Sequence, residues 1–135
     1  MRRGTIDGID LVTLVVDDQD QAIAFYVDVL GFELVQDGAY GDGTRWVEIG
    51  PAKSDTRITP KTPEMFEDGE EEHRRALIGA SPTVTYRVDD CEAVYRRLRS
   101  SEVSFDDDPT AHPWGVSVTA RDPSGNPVVL TALNN

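Results

Sequence analysis

Lysine is almost absent from this chain of 135 residues: Lys53 and Lys61 are the only two, and 13 Lys plus Arg face 25 Asp plus Glu, for a formal charge of −12. Neither nucleic-acid phosphates nor an anionic membrane would find a basic patch to neutralise on such a surface. Cysteine occurs once, as Cys91, which excludes an internal disulfide and a cysteine-rich zinc site. With no base placed near it in sequence, Cys91 reads as a structural thiol at the start of a helix. No stretch approaches the roughly 20 apolar residues of a membrane span, and no apolar run follows Arg2 and Arg3; a cytoplasmic location is expected. Also missing are a glycine-rich phosphate loop, a Ser/His/Asp order and a His-x-x-x-His pair.

What is present suffices for a core. Apolar residues make up 39% and charged residues 28%, too hydrophobic and too evenly mixed for a disordered chain, and the length suits one domain over 1–135. Aspartate outnumbers glutamate, 16 to 9. Many carboxylates with few lysines fit a protein kept soluble at high salt, where screening removes self-repulsion; an acidic mesophilic protein is the alternative.

A repeat organises the chain. Val12-Thr13-Leu14-Val15-Val16-Asp17-Asp18 returns 72 positions later as Val84-Thr85-Tyr86-Arg87-Val88-Asp89-Asp90. Each copy alternates, ends in two aspartates and enters a helical pattern: Ala22, Ile23, Tyr26, Val27 and Leu30 after the first, Val94, Tyr95 and Leu98 after the second. The aspartates stand where an N-cap belongs, so a capping role outweighs metal binding for all four. Gly31 suits a left-handed helix end. Strands are expected over 32–35, 38–40, 45–49, 103–105, 116–120 and 128–131. Each half is then a strand, a helix and about three more strands, too small to bury its own sheet face, so the halves must share a core. The modules run over about 5–50 and 82–133. The proline-bearing stretch 51–81 is expected as a connector, with one short helix from the Glu70-Glu71-Glu72-His73-Arg74-Arg75 run through Leu77, ending near Gly79, and His73 an exposed salt-bridge partner.

The order and spacing of these segments, with Ala24-Phe25-Tyr26 before Leu30-Gly31-Phe32, Arg45-Trp46-Val47-Glu48 and the turn Asp122-Pro123-Ser124-Gly125-Asn126, resemble the vicinal oxygen chelate superfamily of glyoxalases, bleomycin-resistance proteins and extradiol dioxygenases. The resemblance implies an α+β fold of two βαβββ modules whose sheets curl around a cavity, commonly completed by homodimerisation. It also implies a divalent metal that polarises vicinal oxygens of a substrate. The superfamily's ligand positions fall on Leu11, Glu48, Thr83 and Val129. Three of these carry no normal metal ligand, and one carboxylate cannot hold a metal against water. No metal or other cofactor is expected.

Strand alternation gives an independent view of the same positions. Val12, Leu14 and Val16, Val84, Tyr86 and Val88, and Val47 and Ile49 form apolar faces that should pack on the helices. The opposite faces carry Leu11, Thr13 and Val15; Thr83, Thr85 and Arg87; Thr44, Trp46 and Glu48; and Val129 with Thr131. That mixture suits a wet, partly apolar pocket. Glu48 and Arg87 are its charged candidates, with rim ion pairs as the alternative for each. A Glu48 buried without a cation would serve as a general base or partner a cationic ligand. Trp46 is the best stacking platform, if it is not merely packing. In His112-Pro113-Trp114-Gly115, a segment that in the superfamily runs along the cavity mouth, Trp114 is placed to close over a ligand, and His112 is expected on a rigid turn with an exposed imidazole. Asp106-Asp107-Asp108 lacks the glycine and distal glutamate of a calcium loop. The turn over 122–126 should join antiparallel strands without a catalytic role.

The candidate ligand-binding set is therefore Leu11, Thr13, Trp46, Glu48, Thr83, Thr85, Arg87, Trp114 and Val129, with Glu48 the one catalytic candidate. The leading expectation is a metal-independent homodimer that binds a small organic molecule, as a sequestering or resistance-type module. The alternatives are a metal-dependent glyoxalase-like lyase or isomerase, or a dioxygenase-like oxidoreductase, with Glu48 and His112 as noncanonical ligands, and a protein-interaction module with no small ligand.

Overall fold

The computed structural model describes residues 4–40, 44–66 and 69–134. Alternation makes Leu11–Val15 strand β1. The chain then turns at Asp18, whose carboxylate accepts the Gln21 N–H at 2.9 Å and starts α1, Gln19–Ile23. Over Ala24–Val29 the helix widens into a π-turn, with the Leu30 N–H donating to the Phe25 carbonyl five residues back. It stops at Gly31, whose φ of +84° is the left-handed conformation that favours glycine. The second half repeats the device: after β5, Val84–Arg87, the Asp90 carboxylate accepts the Ala93 N–H at 3.0 Å and starts α3, Cys91–Ser100. The capping expectation thus holds for the second aspartate of each pair.

Two strand expectations need correction. The segments 32–35 and 38–40 are one strand, β2, Glu33–Tyr40, paired antiparallel with β3, Thr44–Gly50, and interrupted only by a bulge between Leu34 and Gln36. Gln36 and Asp37, left between the two expected strands, are accommodated because β2 is an edge strand and Arg45 holds the Asp37 carboxylate through two 2.9 Å bonds. More consequentially, the expected connector 51–81 contains β4, Arg57–Lys61, which lies between β1 and β3 in the order β1-β4-β3-β2. Pro60 hid it, since proline is rare in a central strand. The ladder to β3 is short, pairing only Ile49 with Ile58, and the Pro60 carbonyl is satisfied by the Gln19 side chain at 3.0 Å. The first module therefore extends to Lys61.

Beyond it come a 3₁₀ turn at Pro63–Met65 and α2, Glu71–Arg75, shorter than expected and tied by Arg75 to Glu71 at 2.8 Å. His73 is exposed and makes no ion pair among the described residues. The second sheet has the order β5-β9-β8-β6, with β6 at Ser104–Phe105, β8 at Gly115–Arg121 and β9 at Pro127–Leu133; β7, Thr110–His112, also pairs with β8. In both sheets the first strand is parallel to the last, β1 to β4 and β5 to β9. No helix among the described residues is long and apolar enough to cross a membrane.

The helix-facing residues of both modules form one cluster, including Leu14, Val16, Val47 and Ile49 from the first sheet, Val118, Ala120, Val128 and Leu130 from the second, and Tyr26 and Leu98 from the helices. The parity expectation holds for the helix-facing residues, and the shared core follows from it; Val15 and Thr131, expected on the opposite, open faces, are instead buried, Val15 where the 122–126 turn and Ser81 cover the end of β1. A polar clasp locks the halves where the 122–126 turn meets β1. Asn126, fully buried, donates to the Val15 carbonyl at 2.9 Å and accepts the Ser81 N–H at 3.2 Å, while Ser81 Oγ accepts the Val15 N–H at 2.9 Å. Tyr26 donates its hydroxyl to Asp122 at 2.9 Å, and burial, with the neighbouring carboxylate, pushes the phenol's pKa far up, fixing it as a donor.

Candidate functional site

The faces turned away from the shared core carry the candidate residues, and cross-strand register sets their neighbours. Thr13 pairs with Thr59, and Gln36 with Glu48; since Ile49 stands opposite Ile58, Glu48 stands opposite Thr59. One row on the first sheet is therefore Thr13, Thr59, Glu48 and Gln36, and the next is Val15, Lys61, Trp46 and Gly38. Trp46 and Glu48, two residues apart on one face, meet directly: the indole Nε1–H donates to Glu48 Oε2 at 2.7 Å, a charge-assisted bond that orients both half-buried side chains. Glu48 makes no ion pair among the described residues. The Lys61 ammonium lies 5.9 Å from the Trp46 ring centroid and 4.3 Å from that of Phe66, whose ring also carries the Arg74 guanidinium at 4.4 Å. Thr59, 1% exposed, has a hydroxyl with no partner among the described residues.

Lys61, Phe66 and Thr59 were missed because they lie in the stretch read as connector. The signal available was Ile58-Thr59-Pro60-Lys61, a short β-prone run whose proline argued against it.

Leu11, half-buried, shares this face of β1. Thr83, Thr85 and Arg87 are exposed at and before β5, and Val129 is half-buried on β9, registered with Thr85. The four positions matched to superfamily ligands thus fall into two sets within one chain, Leu11 and Glu48 on the first sheet, Thr83 and Val129 on the second. Thr85 and Arg87 also line a groove of about 660 Å³ between β1 and β5.

His112 departs from expectation. It is half-buried at the end of β7, bonded through Nε2 to Ser117 Oγ at 3.0 Å and stacked on Trp114 with centroids 4.5 Å apart at 4°. Trp114 remains half-exposed on that stack. The acidic loop is employed structurally: Asp106 forms a two-pronged pair with Arg121 at 2.8 and 2.9 Å, and Asp108 accepts the Tyr95 hydroxyl at 2.9 Å. Cys91 is buried in the core, and burial raises its pKa, as suits a structural thiol.

A family model described as Glyoxalase/Bleomycin resistance protein/Dioxygenase superfamily matches residues 8–130. The chain belongs to this superfamily. Among similar solved structures, UcmS2 superposes with a TM-score of 0.82 at 31% identity, covering 94% of this chain and 98% of that one. TnmS3, an antibiotic binding protein from Streptomyces sp. CB03234, has a TM-score of 0.78 at 28% identity, covering 98% and 100%. YetH of Bacillus subtilis (strain 168) is 26% identical over 125 residues, 93% of this chain and 98% of its own.

Membership raises the question of the divalent metal. The donor set does not fit one: Leu11 and Val129 offer no donor, Thr83 only a neutral hydroxyl, and Glu48 commits an oxygen to Trp46. Among the described residues no group of three or more His, Cys, Asp or Glu could hold a metal ion. Glu48 and His112, the noncanonical pair considered above, lie in different sheets.

Proposed function

We propose that this glyoxalase/bleomycin-resistance-like small-molecule-binding protein takes its ligand on the Trp46 face of the first sheet, without a metal. The observation that carries the reading is the Trp46–Glu48 hydrogen bond beside Lys61. It fixes a flat aromatic platform and leaves the second carboxylate oxygen, the ammonium and the Thr13 hydroxyl to orient a ligand by hydrogen bonds. The antibiotic-binding neighbour and the bleomycin-resistance proteins named in the superfamily's description support an organic ligand of similar kind. Recognition of this sort needs no reaction. Glu48 is the one side chain here able to accept a proton, should a bound ligand present one.

A homodimer completes the site in this reading. The helices and both helix-facing sheet sides are used in one core, so the opposite faces look outward, and a second copy would bring its Thr83, Val129 and Trp114 over the Leu11, Thr13, Trp46 and Glu48 of the first. Thr85 and Arg87, the remaining candidates, line the separate groove between β1 and β5. The acidic surface disfavours nucleic acid and anionic membranes as partners and suits a dimer in a salt-rich cytoplasm.

Fluorescence titration with a panel of planar aromatic antibiotics tests the proposal. In a Trp114→Phe background the signal belongs to Trp46. A binding ligand should change it, and in isothermal titration calorimetry, with Trp114 retained, Trp46→Ala or Glu48→Gln should weaken binding by about tenfold or more. Unaltered affinity in both variants would remove the ligand from this face. A purified protein retaining about one tightly held divalent ion per chain, with chelator-sensitive activity, would replace binding by the metal-dependent enzyme.

A further inference from the structure

The two halves are related by a repeat, yet their mutual contacts are unequal. On one side the 122–126 turn docks on the end of β1: Asn126 bonds to the Val15 carbonyl at 2.9 Å, and Ser124 Oγ accepts the Asp17 N–H at 2.9 Å. The corresponding turn of the first module, 51–56, has the same internal closure, Ser54 N–H to the Pro51 carbonyl at 3.0 Å, matching Gly125 N–H to the Asp122 carbonyl at 2.9 Å. Its counterpart target is the end of β5. There the docking fails: among the described residues no hydrogen bond joins 51–56 to Arg87, Val88 or Asp89, and Thr56 Oγ1 donates instead to the Ile9 carbonyl at 2.8 Å. The groove of about 660 Å³ occupies the place of the missing contact.

Its wall is apolar where Val12 and Ile58 of the first sheet face Val84, Tyr86 and Val88 of the second. Among the described residues three charged ones line it, Lys53, Arg87 and Asp89. Two cations against one carboxylate leave a single net positive charge, on a chain whose total is −12. Neither Lys53 nor Arg87 makes an ion pair among the described residues. The volume lies within the ~300–1,000 Å³ usual for small-molecule sites. On the first sheet strand alternation separates this groove from the Trp46 face, since Val12 and Ile58 have the opposite parity to Thr13, Glu48 and Thr59, while on the second sheet residues of both parities line it.

We infer that the groove is a second binding site, independent of the Trp46 face, for an amphipathic organic monoanion. The apolar body lies along Val12, Ile58 and Val84, and the carboxylate is held by Arg87 and Lys53. A single net positive charge favours a carboxylate over a neutral amide and is neutralised by one, whereas a phosphate dianion would leave a negative charge uncompensated and costs more to desolvate.

Nitrogen-15 NMR titration of the full chain with 2-naphthoate, 2-naphthamide and 2-naphthyl phosphate tests this. Naphthoate should shift the amides of Ser54, Thr85, Arg87 and Val88 and leave those of Trp46 and Glu48 in place. Naphthamide should bind the same groove about tenfold more weakly, and the phosphate should also bind more weakly than naphthoate. The double variant Lys53→Ser/Arg87→Ser, confined to exposed side chains, should erase the preference for carboxylate over amide. The inference is overturned if millimolar naphthoate shifts none of these amides, if the shifts gather on β3, or if amide, phosphate or the double variant matches naphthoate on the native protein. Because the reporter amides sit on separate strands, a failure here is distinct from a failure of the Trp46 site.

Discussion

Replacing Asn126 tests the clasp between the two halves. The side chain, fully buried, makes three hydrogen bonds: to the Val15 carbonyl at 2.9 Å, from the Ser81 N–H at 3.2 Å, and to Asp122 Oδ2 at 3.2 Å. Asn126→Ala orphans two backbone groups that water cannot reach freely, since Ser81 is 5% and Val15 4% exposed. Asp122 Oδ2 keeps the Tyr26 hydroxyl at 2.9 Å. At about 1–3 kcal/mol per orphaned buried group the loss comes to about 3–5 kcal/mol, a large part of the ~5–15 kcal/mol that holds a domain folded. With an m-value of about 2 kcal/mol/M, the urea midpoint should fall by about 2 M. Asn126→Leu, which keeps the volume, should fall as far, because the cost lies in unpaired polar groups and not in a cavity. Single-tryptophan backgrounds let each half be followed, Trp46 in the first and Trp114 in the second, beside far-UV circular dichroism. In the native sequence the two transitions should coincide, because the core is shared. A midpoint shift below about 0.5 M, or full stability in Asn126→Leu, would refute the reasoning.

Three further outcomes are expected. Gly115→Ala should destabilise by about 2 kcal/mol or more in the same urea assay, because φ is +155° and a Cβ there would run into the Ala132 carbonyl oxygen across the β8–β9 ladder. Thr59→Val should be neutral or stabilising in thermal melts, because the hydroxyl it removes is buried without a partner; a loss above about 1 kcal/mol would mean that a water or ligand group satisfies it. Hydrogen bonds from Arg45 and Arg121 hold Asp37 and Asp106 below the usual aspartate range. A depressed pKa adds stability that is complete above the unfolded value and is lost as pH falls through the folded one. Urea midpoints should therefore decline below about pH 4, and Asp37→Asn/Asp106→Asn should flatten that decline by less than about 1 kcal/mol per exposed pair.

Local chemistry was legible in the chain because it depends on near neighbours. Asp18 and Asp90 cap the nearest helical N–H groups, Gly31 ends the helix it follows, and the alternation of Val12, Leu14 and Val16 decides which side of β1 is buried whatever the sheet pairs with. β4 was not legible. Its proline speaks against a strand, and only the place kept for it between β1 and β3, with Gln19 satisfying the Pro60 carbonyl, overrules that local preference.

From sequence alone came the doubled module, its two buried faces and the set of side chains left on the open ones. Which of those side chains meet was decided by tertiary structure: Lys61 comes beside Trp46 because β4 inserts next to β3, Asn126 reaches Val15 across 111 residues, and the repeat's second docking contact is replaced by a groove. The physical reason is one of range. Capping and strand parity are settled by residues a few positions apart, whereas register between distant strands and the fit of one half against the other depend on how both surfaces pack at once.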